Sequence, residues 1–427
     1  MDFDPRNYGA ACDGVTNDAA AIQKAIDACA AAGGGRVVLR AGTTYRSASL
    51  RLRSFVELHL ENGSRLVASD RLEDYLRPDQ PARDANVSDV GTPVVGKPSY
   101  VFLYAFGAQH VRVTGPGTID GSGSAFVKRV SPWYVTGDFY PRPTLVYFEN
   151  CKHVTFRDTV MCNVAFWTLH LGGCYDALID SIRILNPLDV ANSDGIDIDH
   201  TRFARIVNCH VECADDCICM KNTLGNREYP NTRCVEVVGC TLISTSAALK
   251  IGTEGVDDFE NISFSHCMID CSNRGLSIQV RDAGSVRNVS FTDIMIQTRR
   301  FADTWWGCAE PIAITALDRD AGTRGGSIEN VRFFNIDCRG ENGAVLCGDP
   351  GKLRDIKFEN VRIALENTSR WPKNLYDLRP GYTARIVERP SVPFLACGVE
   401  GLSLRDMTLK GFEGEDVAPV ILEESIL

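Results

Sequence analysis

Short apolar-alternating segments recur along the second half of this chain at intervals of very roughly 25 residues, a period typical of stacked repeat architectures. Aligned, they run Ala204-Arg205-Ile206-Val207-Asn208-Cys209, Val235-Glu236-Val237-Val238-Gly239-Cys240 and Ile262-Ser263-Phe264-Ser265-His266-Cys267. Units ending at Ile294, Ile336, Val361 and Met407 follow the same plan. The last column mixes Cys with aliphatic residues, so cysteine there acts as a small buried hydrophobe. The column before it reads Asn208, Gly239, His266, Asp293, Asn335, Asn360, Asp406, dominated by residues that tolerate tight turns. Each unit is thus a strand, a turn and a strand. A unit of this kind buries its inner face only against its neighbours, which predicts an all-β, single-stranded right-handed parallel β-helix.

The amino end breaks the pattern. Residues 17–29 have the apolar spacing of an amphipathic helix, stopped by Gly33, Gly34 and Gly35. A helix there covers the open end of the solenoid and blocks edge pairing. We therefore expect one domain over 1–427, with an amino-terminal cap over about 1–40 and insertions at about 70–98, 122–143 and 367–393. Long insertions in a solenoid usually build a groove wall.

A net charge of −10 argues against nucleic acid or an anionic membrane as partner, and no apolar run is long enough to span a bilayer. The segment beginning at Met1 lacks the basic-then-apolar pattern of a signal peptide, which gives a cytoplasmic expectation. Seventeen cysteines, an odd number without a zinc-like spacing, fit reduced structural thiols. Nothing in the composition sets an oligomeric state.

Three aspartates precede two successive strands, in Asn192-Ser193-Asp194-Gly195 and Cys213-Ala214-Asp215-Asp216-Cys217. With Ile196 and Ile198 stacked inward on Ile218 and Met220, Asp194 lies beside Asp216, and Asp215 sits one residue upstream. Like charges so placed raise a proton affinity, and an acid set apart from a base suits inverting glycoside hydrolysis. The outer columns read Asp197, Cys219, Lys250, Ser277, then Asp199, Lys221, Gly252, Gln279, then Thr201, Thr223, Glu254, Arg281. This register predicts ion pairs between Asp199 and Lys221 and between Glu254 and Arg281, either as surface pairs or as parts of a substrate site.

These residues resemble the polygalacturonase-like glycoside hydrolases of family 28, the pectin-degrading β-helix enzymes. The match includes Asn192-Ser193-Asp194, the Asp215-Asp216 pair and the opening 7–18 and 33–38, so it spans nearly the whole chain. It implies inverting hydrolysis of pectic oligosaccharides with no metal and no cofactor. A cytoplasmic enzyme meets oligosaccharides rather than polymer, and amino-side insertions that close one groove end give an exo-acting expectation. By position Asp215 is the general acid, and Asp194 and Asp216 hold and activate water. Two family motifs differ: Gly-His-Gly becomes Ser246-Ala247-Ala248, and Arg-Ile-Lys becomes Ser277-Ile278-Gln279. Either Lys250, Lys221 or Arg281 replaces the missing cation, or the subsite takes another sugar such as rhamnose.

Asn192, Glu254, Trp305 and Trp306 join the candidate substrate contacts, the tryptophans either stacking on sugar or packing on the solenoid. His170, one coil before Asp194, is either a substrate contact or a structural histidine; Asp197 is a ligand residue or a solvated outer-face Asp. Two other readings stand beside hydrolysis: a calcium-dependent pectate lyase, and a non-catalytic carbohydrate-binding β-helix.

Overall fold

The structure, a computed structural model, describes residues 1–75, 97–127, 142–303, 305–382, 385–414 and 418–424. Most of the expected insertions at 70–98 and 122–143 therefore lies outside the described residues. The chain is a right-handed parallel β-helix. One face is a 12-stranded parallel sheet running in coil order from Leu50–Arg51 to Val420–Glu423; the other faces form a 23-stranded sheet.

The repeat is legible in this fold almost column by column. Asn208, Gly239, His266, Asp293, Asn335, Asn360 and Asp406 all have φ between 51 and 68°. They are the corners where each coil turns through the left-handed region, which explains the preference for Asn, Asp and Gly. The following column points inward, with Cys209, Cys240, Cys267, Ile294, Ile336 and Val361 all buried. Above it Phe264, Phe291, Phe333 and Phe358 stack in register, with centroids 4.8, 4.9 and 4.5 Å apart and planes within 5°. All seventeen cysteines are free thiols.

The corner side chains also form ladders. Asn335 donates to Asp293, and Asn360 donates to Asn335 at 3.0 Å. Asn335→Ala is expected to cost about 1–2 kcal/mol, combining the left-handed backbone with two lost hydrogen bonds. Asn335→Gly, which relieves the backbone strain, should recover part of that loss when urea midpoints are compared.

At the amino end the helix Ala19–Ala31 lays Ile22, Ala25, Ile26 and Cys29 on the first coil. Asp18, at its N-cap, binds the backbone N–H groups of Ala11 and Cys12 instead of the helix. At the other side, within 367–393, the strands Leu375–Asp377 and Ile386–Glu388 form an antiparallel hairpin. Buried Arg281 ties this hairpin segment to the sheet through the carbonyls of Leu378 and Pro380.

Candidate active site

The site sits on the 12-stranded sheet, and its register decides which side chains meet. Ile196, Ile218, Leu249, Leu276 and Ile312 form one inner column, and Ile198, Met220, Ile251, Ile278 and Ile314 the next. Alternation then turns His170, Asp197, Cys219, Lys250 and Ser277 outward in one line, as the sequence register predicts.

The next outer column departs from expectation. Met220 pairs with Ile251 but Asn222 pairs with Gly255, so Gly252, Thr253 and Glu254 together face Lys221. Gly252 makes this bulge possible: its φ is 98°, and a Cβ there would meet the Gln279 carbonyl oxygen at 2.2 Å. The bulge carries Glu254 to Lys221, with Oε2 to Nζ 3.1 Å, so neither predicted ion pair forms. Arg281 takes backbone carbonyls instead of Glu254, and its burial removes it as a substrate cation. Asp199 turns to His170 and His200, 3.1 and 2.9 Å away, and also accepts from Thr223 and Asn226. Burial opposes the charge on Asp199, but these hydrogen bonds hold its carboxyl well below the usual carboxylate range. His170 is fully buried between Tyr147 and Trp167, so it supports this network rather than meeting substrate.

Asp194, Asp215 and Asp216 converge: one oxygen from each lies within 4.8 Å of the others, and all three are buried. Sequence register separates Asp215 from the other two; the turn preceding Cys217 folds it back among them. The hydroxyl of Ser244 fixes that turn by donating to the Asp215 carbonyl at 2.6 Å. Asn192 donates from Nδ2 to Asp215 at 3.5 Å and accepts from Arg142 at 2.8 Å, so it orients the Asp215 carboxyl.

The three carboxyls have unequal surroundings. Asp216 is ion-paired with Lys250 at 2.8 Å and accepts from the Ser246 hydroxyl at 3.3 Å. Burial, then the neighbouring Asp216, pushes Asp215 up to about 7. Burial and the charges of Asp215 and Asp197 push Asp194 well up as well. Asp197 lies in the same cluster, fully buried, with no hydrogen-bond partner for either oxygen and Lys221 3.7 Å away. That position overturns a solvated outer-face reading of Asp197. Lys221 stands over the Trp167 ring at 4.7 Å. Glu254 is held at about 2 because Lys221 and Arg319 outweigh its burial. Lys250 is paired with Asp216 and Lys221 with Glu254, while Asp194, Asp197 and Asp215 favour their protons.

Trp305 donates from Nε1 to the carbonyl of Ala214, at 2.9 Å, next to Asp215. Arg379 lies over the Trp306 ring at 5.2 Å, and Gln279 donates to the Arg379 carbonyl. The tryptophans and the hairpin segment therefore form one wall of the groove, with both indoles half-buried. On the amino side Lys97 pairs with Glu149 and Glu228, both at 2.6 Å, and bridges the sheet face three coils before Lys221. Lys97, Arg142, Trp167 and Arg379 carry no motif. They come from remote segments, and only the Phe166-Trp167 doublet ahead of His170 offered a signal.

The three clustered aspartates are also a group whose donor atoms suit a cation. Calcium needs about six to eight oxygens. Here Lys250 and Lys221 already bring positive charge to the same carboxylates, so the donor set does not fit calcium.

The family model described as Glycosyl hydrolases family 28 matches residues 96–375. A probable polygalacturonase of Arabidopsis thaliana is 24% identical over 304 residues, 69% of this chain and 58% of its own length, so the chain spans little more than half of that relative. An endo-polygalacturonase of Pectobacterium carotovorum subsp. carotovorum is 24% identical over 81% of this chain and 84% of its own. The solved structure of a hyperthermoactive exopolygalacturonase from Thermotoga maritima superimposes with TM-score 0.67 at 20% identity, over 90% of this chain and 95% of that one.

Proposed function

Since the chain belongs to glycosyl hydrolase family 28, we propose that it hydrolyses glycosidic bonds of pectic oligosaccharides by exo-action and with inversion. The observation that carries this reading is the unequal environment of three converging carboxyls. Asp215, pushed up to about 7, keeps a proton at mildly acidic pH and gives it to the glycosidic oxygen as the bond breaks. A water held by Asp194 attacks the anomeric carbon, and its proton passes to Asp216, which lies 2.8 Å from the Lys250 ammonium. Lys250 and Lys221 supply the positive charge that a uronate at the cleavage subsite needs. If that subsite takes rhamnose, the same two lysines serve only the acids. The Lys97 bridge, which crosses the sheet on the amino side, and the likeness in fold to the Thermotoga maritima exopolygalacturonase support exo-action.

One observation favours a second reading. Oxygens within 4.8 Å of each other are closer to the roughly 5–5.5 Å of a retaining pair than to the roughly 6.5–9.5 Å of an inverting one. Proton NMR of the first sugar released decides between them. With trigalacturonate and with aryl galacturonides and rhamnosides, the expected result is an inverted anomer, cut from one chain end and unaffected by a chelator. A retained anomer would overturn inversion. An ultraviolet-absorbing unsaturated product lost with the chelator would establish a lyase instead.

A further inference from the structure

We propose that the buried ion pair Arg319–Asp282 is a positioning device for the reaction. It grips the backbone on both sides of Glu254 and so sets where the Lys221 ammonium stands beside Asp194. This rests on the hydrolytic reading above and brings in two residues that it leaves idle. Asp282 follows the strand Arg274–Val280, and Arg319 follows Ile312–Ala316, one and two coils beyond the bulge at Gly252. The two side chains meet in a fork, Nε to Oδ1 at 2.5 Å and Nη2 to Oδ2 at 2.9 Å. A forked guanidinium–carboxylate pair fixes direction as well as distance. Each residue is 6% exposed, so neither offers a surface to substrate.

Each partner also takes one backbone group of the bulge. Arg319 Nη2 donates to the carbonyl of Thr253 at 3.1 Å, and the Gly255 N–H donates to Asp282 Oδ2 at 2.9 Å. Thr253 and Gly255 are the residues on either side of Glu254. A bulge re-aims a side chain, but it also disrupts the ladder that would hold its backbone in place. The ion pair supplies that hold on both flanks and keeps Glu254 aimed at Lys221, 3.1 Å away.

Glu254 matters because of what else surrounds Lys221. The ammonium lies 3.7 Å from Asp197 and 3.8 Å from Asp194, so Glu254 is the nearest of three carboxyls. Burial opposes the charge on Glu254, and Lys221 and then Arg319 restore it. A Glu254 fixed in place and ionised holds the ammonium back from the other two acids. Once the bulge is slack, Lys221 closes on Asp194 or Asp197, because a buried ammonium takes the nearest carboxylate it can reach. The group that holds the attacking water then changes both its place and its charge.

A double-mutant cycle tests this. Arg319→Gln should lower kcat on pectic oligosaccharides about tenfold, a tenth of the rate effect of a full 1 Å misplacement, with KM changed less than about threefold. Glu254→Gln should also lower kcat, and Arg319→Gln added to it should lower kcat no further. Melting temperature should fall on adding Arg319→Gln in either background, because Asp282 loses its buried partner in both. A second tenfold fall in the Glu254→Gln background would overturn the proposal, as would an unchanged kcat in folded Arg319→Gln protein. If Arg319→Gln fails to fold, Arg319→Lys, which keeps the charge but not the fork, carries the same cycle. A crystal structure of the folded variant reads the position directly. Glu254 still within about 3.5 Å of Lys221 there would overturn the clamp, whatever the activity. Glu254 displaced there, with no turnover of any pectic glycoside by the unsubstituted enzyme, would overturn the hydrolase reading and leave the clamp standing.

Discussion

Asp215→Asn is expected to lower kcat about a thousandfold, within the roughly 10²–10⁴ range of a lost general acid, with KM little changed. The substitution keeps the shape of a side chain held by Asn192 and removes its transferable proton. A pH profile gives the matching signature in the unsubstituted enzyme. Asp215 is protonated below about 7, so kcat should fall as pH rises through that value. Aryl glycosides with good leaving groups need less protonation and should lose less activity in the variant. A kcat within threefold of the unsubstituted enzyme on oligosaccharides would remove Asp215 from the acid role.

The same substitution should stabilise the fold at alkaline pH. The folded protein holds the Asp215 proton up to about 7, whereas the unfolded chain releases it near 3.8. Between those values the folded state binds more protons, so this group's stabilising contribution, complete below 3.8, is lost as pH rises through about 7. Asn carries no such dependence. Melting at pH 8 should favour Asp215→Asn by on the order of 1–4 kcal/mol, with the difference shrinking towards pH 5. Gain of stability with loss of activity separates a functional carboxylate from a structural one.

Lys250→Met should be the more damaging change to the protein itself. Its ammonium lies 2.8 Å from Asp216, with side-chain exposures of 11% and 2%. Burial works against the Lys250 charge, but Asp216 reverses that and raises its proton affinity. Removing one partner of a buried pair leaves the other charge uncompensated, which costs about 3–5 kcal/mol. Asp216 also loses the partner that fixes its position, so kcat should fall with stability. The double variant Lys250→Met with Asp216→Asn removes the uncompensated charge and should recover most of the stability but none of the activity. If Lys250→Met alone melts within 1 °C of the unsubstituted protein, the pair does not hold the site together.

How much of this was legible in the sequence varies by residue. The corner column from Asn208 to Asp406 predicted tight turns, and the structure shows them to be left-handed, a backbone few side chains tolerate. The inner columns from Ile196 to Ile312 predicted register because a slip of one residue would expose them all. Asn192, Asp194, Asp215 and Asp216 came with them, since each sits beside a strand whose register was already fixed. The predicted pairs Asp199–Lys221 and Glu254–Arg281 failed for a reason that alternation does not contain. A bulge at Gly252 shifts Glu254 onto Lys221 and frees Asp199 for two histidines. Asp197 is outward by alternation yet fully buried, with the Lys221 ammonium 3.7 Å from its carboxyl.

By itself the sequence determined the solenoid, its register and the pairing of Asp194 with Asp216, because these follow from local backbone preference and a repeated apolar pattern; the folding of Asp215 back among them is a tertiary outcome. Only the tertiary structure decided how protons and charges are shared among those carboxylates and what walls the groove. Those outcomes depend on burial and on contacts between segments up to 131 residues apart, such as Lys97 with Glu228, for which a linear pattern has no column.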